Sequence, residues 1–236
     1  MMPACSTLGR RLRAALAGAS LVAGGCASAP PLAHQDCYNA DAQLRKIVEP
    51  LDAARAKGCG VGGECDRLRV ELERLTVICP GHAPTLMANA VNAYDDHRPV
   101  KAQQFLDQIL SQSQSHPGAA VLRARIAIEE GSVPFARRLL VQQIRLAPAE
   151  AELHETYGAV LYVSGELPEA RRELATAGAL GAPRWRIAYH LGLVEEAAGQ
   201  LLDARRFYTE AVEANPGWAP AESRLKALRA KDGGGR

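Results

Sequence analysis

The string Gly-x-x-x-x-Ala-Arg-Arg occurs three times in this 236-residue chain, and each copy follows the previous one by 34 residues. The copies begin at Gly131, Gly165 and Gly199. A fixed period of this size is the signature of stacked supersecondary units, and 34 residues is the period of a helix–turn–helix unit. The chain is therefore predicted to be an all-α solenoid, in which each unit buries its apolar face against the next one.

Small residues recur around this string at places where two helices of one unit would touch. A glycine between the helices permits backbone angles that other residues resist. Small side chains inside the helices let the two backbones approach closely, and a closing proline cannot continue a helix. The residues predicted to pack the repeats in this way are Gly158, Gly165, Ala170, Gly192, Gly199 and Ala204.

These positions resemble the tetratricopeptide repeat (TPR), which implies a right-handed α-solenoid. Four units follow the register, at 83–116, 117–150, 151–184 and 185–218. The first unit departs from the pattern, because His97 stands where the others carry the turn glycine. Most aromatic positions of the family are occupied by leucine, so an aliphatic core is expected. Residues 219–231 are predicted to form a helix that caps the last unit, and 232–236 a frayed tail.

The resemblance also implies a binding surface, because TPR proteins usually hold protein segments in a concave groove lined by the first helix of each repeat. Tyr162 and Tyr189 are the expected aromatic anchors of this groove. The Lys/Asn set by which some relatives hold a terminal carboxylate is absent, since Met87 and Val91 occupy those places. Carried over by position, the groove residues are Met87, Val91, Tyr94, Val121, Arg125, Ile128, Glu155, Ala159, Tyr162, Tyr189, His190 and Leu193.

The first 25 residues have the features of an export signal. Arg10, Arg11 and Arg13 form a positive region, and the apolar stretch that follows is shorter than the roughly 20 residues that span a bilayer. Removing residues 1–25 takes away three arginines and no acidic residue, which leaves 25 Lys+Arg against 26 Asp+Glu. A chain without a basic excess is not expected to bind nucleic acid.

The stretch ends in Leu21-Val-Ala-Gly-Gly-Cys26, which looks like a bacterial lipoprotein signal. This resemblance implies cleavage before Cys26, lipid attachment to its sulfur and, with Ala27 next in the chain, location in the outer membrane facing the periplasm. Residues 26–36 would then form a tether. The alternative is an ordinary signal peptide that is cut after a small residue, with Cys26 incidental.

Four other cysteines precede the first repeat, and an even number in an exported chain indicates two disulfides with three possible pairings. Cys65 and Cys79 follow a helical period on one face and lie four turns apart, roughly 21 Å. That distance excludes a bond between them if the helix is intact. We favour Cys37–Cys79 with Cys59–Cys65, which would close a helical hairpin at 37–82. Pro50 predicts two short helices, or one kinked helix, in its first half.

A competing interpretation is a metal site made by Cys59, Cys65, Cys79 and His82. The exported location and the distance between Cys65 and Cys79 argue against it. The chain has no His-Glu-x-x-His, no Gly-x-Ser-x-Gly and no phosphate loop. No enzymatic activity, cofactor or small-molecule substrate is therefore expected, and His154 and His190 are expected in solvent or along the groove.

The repeated arginine pairs are predicted to form a ladder on the outer face of the repeats. One interpretation is a site for an anionic partner or a membrane surface. The other is a solvated ridge balanced by neighbours such as Glu169 and Glu173. Residues 117–184 contain eight Arg and eight Glu, with no Lys or Asp, so the field does not have one sign and the ridge is favoured.

The resemblances imply a periplasmic scaffold lipoprotein that binds protein partners of the cell envelope. Its task would be to assist the assembly of an envelope machine such as a pilus, a secretion pore or a polysaccharide exporter. An accessory protein that organises cell-wall synthases or hydrolases is the main alternative. A metal or redox protein that uses the four cysteines is a weaker third interpretation.

Overall fold

The computed structural model describes residues 37–59 and 63–233, so the predicted signal peptide, Cys26 and the tether lie outside the described residues. A 3-10 turn at Cys37–Asn39 leads into a hairpin of two helices, α1 (Ala40–Ala56) and α2 (Glu64–Ile78). The described residues form helices and connecting turns, with no β-strand among them.

Four helical pairs follow the hairpin, and the first helix of each pair begins close to the predicted start of its repeat. The first helices are α3 (Ala83–Asp95), α5 (Pro117–Glu129), α7 (Ala151–Val163) and α9 (Arg184–Ala197). The second helices are α4 (Pro99–Gln112), α6 (Val133–Leu146), α8 (Leu167–Ala179) and α10 (Leu201–Ala214). A last helix, α11 (Ala219–Gly233), packs against α10 and extends two residues into the segment predicted as a tail.

The turn between the two helices of a repeat has the same backbone geometry each time. Gly131, Gly165 and Gly199 adopt φ of 76°, 78° and 75°, which is the left-handed region that favours glycine. His97 occupies the equivalent place in the first repeat and adopts φ of 56° despite its Cβ. The first repeat therefore keeps the turn of its neighbours at the cost of a strained histidine.

The core of each repeat is built where its second helix meets its first. Leu106, Leu140 and Leu174 occupy equivalent places on α4, α6 and α8, and all three are buried, as is Tyr208 on α10. Helix positions that carry glycine or alanine make room for them. A Cβ added at Gly158 would lie 2.8 Å from Cγ of Leu174, so a larger residue at position 158 would overlap the core.

The amino-terminal hairpin is held by an apolar seam and two disulfides. Leu44, Ile47 and Leu51 of α1 belong to one buried cluster with Leu68 and Leu72 of α2. Helix α1 runs through Pro50 as one element, because its apolar face stays packed on both sides of the proline.

Cys37 is bonded to Cys79, with Cα atoms 5.5 Å apart, so the predicted disulfide-stapled hairpin is confirmed. Cys59 is bonded to Cys65, with Cα atoms 5.8 Å apart. Nδ1 of His82 lies 2.7 Å from Oγ1 of Thr85, and Nε2 of His82 lies 3.2 Å from Oδ1 of Asp41. The alternative metal set of Cys59, Cys65, Cys79 and His82 is therefore not assembled, and the described residues contain no group of three or more potential ligands.

The last repeat is closed by α11 and the turn before it. Ala221, Leu225 and Leu228 of α11 are buried and pack in clusters with α9 and α10. Such a cap covers the apolar face that the terminal unit of a solenoid would otherwise expose. Within the described ranges, none of the helices has the length and apolar character required to span a membrane.

Candidate functional site

The first helices line a surface whose amino-terminal part contains an apolar cavity. The cavity measures ≈ 260 Å³ and lies between α3 and α5, with one side chain from α7. Val121 forms a buried part of its wall, whereas Val91 is 37% exposed. Five of the predicted groove residues meet in this cavity: Met87, Val91, Tyr94, Val121 and Arg125.

A second cavity adjoins the first at the carboxyl ends of α3 and α5. It measures ≈ 420 Å³ and is lined by Tyr94, Asp95, His97 and Glu129, so the two cavities share Tyr94 and Asp95. The Tyr94 hydroxyl donates a hydrogen bond to Oε1 of Glu129 at 2.5 Å. This hydrogen bond, followed by burial, raises the pKa of Tyr94 to about 12, so the phenol remains a donor at neutral pH.

A second feature of the first helices is a cluster of charges between α7 and α9. Glu155 is 3% exposed and accepts a hydrogen bond from Nε of Arg186 at 2.9 Å. Nε2 of His190 lies 3.3 Å from the same carboxylate. Glu152 lines the apolar cavity, and its Oε1 lies 3.5 Å from Nη1 of Arg186, so the charge cluster begins beside the cavity.

The charge state of Glu155 follows from competition between burial and its partners. Burial alone would raise the pKa of this carboxyl. The hydrogen bonds from His190 and Arg186 outweigh burial and lower the pKa to about 2. Glu155 is therefore a charged, paired carboxylate that joins the first helices of two successive repeats.

The remaining predicted groove residues do not join the cavity. Ile128 packs against the buried core of the second repeat, and Tyr162 against that of the third. Leu193 packs against the cluster that α11 completes. The predicted groove residues that meet in one cavity are thus those of α3 and α5.

Tyr189 was expected to be an aromatic anchor of the groove, but it also packs inside the carboxyl-terminal end of the solenoid. Its ring centroid lies 4.7 Å from that of Trp218 and 5.9 Å from that of Tyr208. Trp218 also contacts Trp185, at 4.6 Å between centroids. Removal of the Tyr189 ring is therefore expected to cost stability, because the turn before α11 brings Trp218 onto this ring.

His154 was also expected in solvent or along the groove, and it is buried instead. Its Nδ1 lies 2.7 Å from Oε2 of Glu173, and its Nε2 lies 2.9 Å from the carbonyl oxygen of Pro148. This histidine holds the turn that precedes α7 against α8. Glu173 is consequently a partner of His154, whereas the sequence interpretation placed it beside the arginine ladder.

Arginines of the repeated pairs have acidic partners, and two of these partners belong to the next repeat. Arg171 donates two hydrogen bonds to Glu195 of the next repeat, at 2.7 and 2.8 Å, and Arg137 pairs with Glu166. Arg172 pairs with Glu169 at 2.9 Å. The first arginine of these pairs thus links successive repeats, which supports the interpretation of a balanced ridge.

Sequence reasoning did not single out Glu129 or Arg186. Glu129 follows the predicted groove residue Ile128, and Arg186 is the second residue of the fourth repeat. Arg186 reaches Glu155 across 31 residues, from the second position of one repeat to the fifth position of the previous one. The same two positions also meet between the first and second repeats, where a Cβ added at Gly118 would lie 4.0 Å from Cε of Met87, although the residue types differ.

Comparison with known proteins identifies the fold. No family model matches the sequence, and no curated protein matches it. A TPR protein from Thermus thermophilus superposes with a TM-score of 0.66 at 19% identity, over 81% of this chain and 99% of that one.

Two further solved structures share the architecture. PilF of Pseudomonas aeruginosa gives a TM-score of 0.61 at 14% identity, over 82% of this chain and 90% of that one. YrrB, described as a TPR protein with an unusual peptide-binding site, gives a TM-score of 0.52 at 12% identity, over 83% of this chain and 98% of that one. The described chain therefore has the helix–turn–helix solenoid fold of the tetratricopeptide-repeat proteins.

Proposed function

We propose that this protein is a periplasmic scaffold lipoprotein that holds a segment of a partner protein in the groove formed by its first helices. The observation that carries this proposal is the apolar cavity between α3 and α5, which leaves Val91 partly open to solvent beside buried Val121. Apolar surface of this kind favours burial by another chain, since removing it from water contributes roughly 25 cal/mol per Å². YrrB, which has the same fold, is described as having an unusual peptide-binding site, and this is consistent with the proposed use.

The membrane anchor is proposed from the sequence alone. The apolar stretch that ends in Ala23-Gly24-Gly25-Cys26 supports lipid attachment at Cys26 and retention in the outer membrane. We place the protein among the assembly factors of an envelope machine, such as a pilus, a secretion pore or a polysaccharide exporter. PilF of P. aeruginosa has the same fold, and the combination of a lipoprotein signal with this fold supports the assignment.

Site-specific photocrosslinking in the native bacterium tests the groove. A photoreactive amino acid at Val91 should form a crosslink to one envelope protein, because this side chain opens into the cavity. The matched control is Val100, which is 66% exposed at the start of α4. Equal crosslinking from both positions, or none from Val91, would contradict the proposal. The identity of the captured protein separates an assembly machine from a set of cell-wall synthases or hydrolases.

Metabolic labelling tests the anchor. Labelled fatty acid should enter the wild-type protein, and Cys26→Ser should abolish the labelling and release most of the protein from the membrane fraction. Cys5→Ser is the control, since this cysteine lies within the predicted signal peptide. Equal labelling of wild type and Cys26→Ser would eliminate the lipoprotein assignment and leave the groove to be judged by crosslinking.

A further inference from the structure

The apolar cavity has an acidic side, and this arrangement restricts which segments can dock there. We infer that the groove takes an amphipathic protein segment whose apolar side chain fills the cavity at Met87, Val91 and Val121 and whose lysine or arginine lies beside Glu129. The inference rests on the proposed function, since it names the chemistry of the partner for the same groove. It is carried by the position of the second cavity beside the first and by the carboxylate of Glu129, which has an uncharged hydrogen-bond partner.

The two cavities lie side by side, as such a segment requires. The apolar cavity and the cavity beside it share Tyr94 and Asp95, so one ligand can enter both. The first supplies aliphatic walls, whereas the second is lined by a phenol, a histidine and two carboxylates. An apolar residue and a charged residue one helical turn apart, or two residues apart in an extended chain, would reach both.

The carboxylate at the far side of the second cavity is not neutralised by a cation of the described chain. Glu129 accepts a hydrogen bond from the uncharged Tyr94 hydroxyl, and no described lysine or arginine lies within ion-pair distance of it. Its neighbour Glu130 accepts a hydrogen bond from Nε2 of Gln103 at 2.6 Å, again an uncharged donor. Asp95 is different, because Nη1 of Arg55 lies 2.9 Å from its Oδ2.

The backbone adds to this negative potential. Helix α3 ends at Asp95 and helix α5 ends at Glu129, so the carboxyl ends of two helices meet at this cavity. The last turn of a helix carries a partial negative charge and favours cations. The side chains and the helix ends therefore act in the same direction at one end of the groove.

Opposite charges line the remainder of the apolar cavity. Arg125 lies one turn before Glu129 on α5 and lines the cavity together with Glu152 of α7. Glu152 in turn lies 3.5 Å from Arg186. Arg186 also pairs with Glu155, so two arginines and two glutamates balance there, and the negative charge of Glu129 sets the preference of the site for a basic residue.

Fluorescence anisotropy with two matched peptides tests the inference. The probes are fluorescein-labelled short amphipathic peptides, one of leucine and lysine and one of leucine and glutamate in the same order. The full-length chain should bind the lysine peptide about tenfold more tightly at about 50 mM salt, and less so at about 500 mM. Glu129→Gln should weaken the binding of the lysine peptide about threefold, as expected for the loss of one exposed charge pair.

Glu213→Gln is the matched control, because Glu213 is an exposed acidic residue on α10 that lines a different cavity. Equal weakening by Glu129→Gln and Glu213→Gln would overturn the inference, since it would show attraction to the whole acidic surface. If the protein bound both peptides equally and Val91→Gln abolished this binding, the charge preference would be overturned. The groove itself would still be the binding site. Binding of neither peptide would also overturn it, while crosslinking from Val91 decides the proposed function independently.

Discussion

Gly192 of α9 lies so close to the ring of Tyr208 in α10 that a Cβ at position 192 would be 2.5 Å from Cε1 of the tyrosine. The ring has no room to move, because Tyr208 is fully buried and its hydroxyl donates to Glu196 at 2.8 Å. Gly158 has the same relationship with Leu174 one repeat earlier. These glycines set the distance between the two helices of a repeat.

Gly192→Ala is therefore expected to lower the free energy of unfolding by about 2 kcal/mol, which is a typical cost of overpacking. Gly178→Ala is the matched control in α8, where an added Cβ would lie 3.7 Å from Cγ2 of Ile187, an ordinary contact. The free energy of unfolding of the control should rise by up to about 1 kcal/mol, because alanine has a higher helix propensity than glycine. Urea unfolding followed by circular dichroism measures both changes, and equal midpoints for the two variants would contradict the packing role.

His97→Gly is expected to stabilise the first repeat by up to about 1 kcal/mol, because glycine adopts a positive φ without the steric cost that His97 carries. The reciprocal change, Gly131→Ala, should destabilise by about 1 kcal/mol, since nothing lies within 4 Å of the added Cβ and only the backbone is strained. Thermal unfolding of both variants gives the comparison. A fall in stability for His97→Gly would show that contacts of the imidazole exceed the strain.

Arg186→Met is expected to lower the free energy of unfolding by about 3 kcal/mol, because it leaves the buried carboxylate of Glu155 without its principal partner. Arg184→Met removes a neighbouring arginine that also forms an ion pair, with Glu210 at 2.6 Å, but its side chain is 79% exposed. The control should hardly change the melting temperature. Similar losses in both variants would mean that burial of the Glu155 pair has no special role.

The pH dependence of the free energy of unfolding should reveal the contribution of Glu155. Its pKa is about 2 in the folded protein and below the ordinary value of 4.5, so the group contributes its full stabilisation above about pH 4.5. This contribution is lost as the pH falls from about 4.5 towards 2. Glu155→Gln should reduce stability at neutral pH and flatten the loss on acidification. Urea midpoints measured across this range for both proteins test the prediction, and parallel pH profiles would contradict it.

The two disulfides should differ in their contribution to stability. The Cys37–Cys79 bond closes a sequence separation of 42 residues, whereas Cys59–Cys65 closes one of 6. Loop-closure entropy predicts about 4 kcal/mol for the first and about 2 kcal/mol for the second. The double variants Cys37→Ser/Cys79→Ser and Cys59→Ser/Cys65→Ser, compared by denaturant unfolding, measure the difference. A larger loss from the second pair would contradict the chain-entropy explanation.

The repeat fold could be predicted from the sequence because its signal is local and recurs. The string that begins at Gly131, Gly165 and Gly199 marks the turn of the last three repeats. The same register places His97 in the turn of the first repeat, where it also adopts a positive φ. The helical spacing of Cys65 and Cys79 excluded their pairing, and the structure joins each to a different cysteine.

The details of the groove could not be predicted because they depend on contacts between repeats. Arg186 finds Glu155 on another helix, and the equivalent residues elsewhere are too different in type to produce a repeated pattern. Likewise, the packing of Tyr189 depends on the turn that carries Trp218, which follows the last repeat and has no counterpart in the period. Sequence periodicity describes what the repeats share, whereas these contacts depend on the positions at which the repeats differ.

The bond between Cys37 and Cys79 has a mechanical consequence. Tension applied to the chain ahead of residue 37 passes through the covalent bond to residue 79 and from there into α3. Helices α1 and α2 lie within the closed loop, so they bear no load, and their apolar seam does not have to resist shear. An amino-terminal attachment can then transmit force directly to the first helix of the groove, and reducing this single bond would transfer the load onto the hairpin.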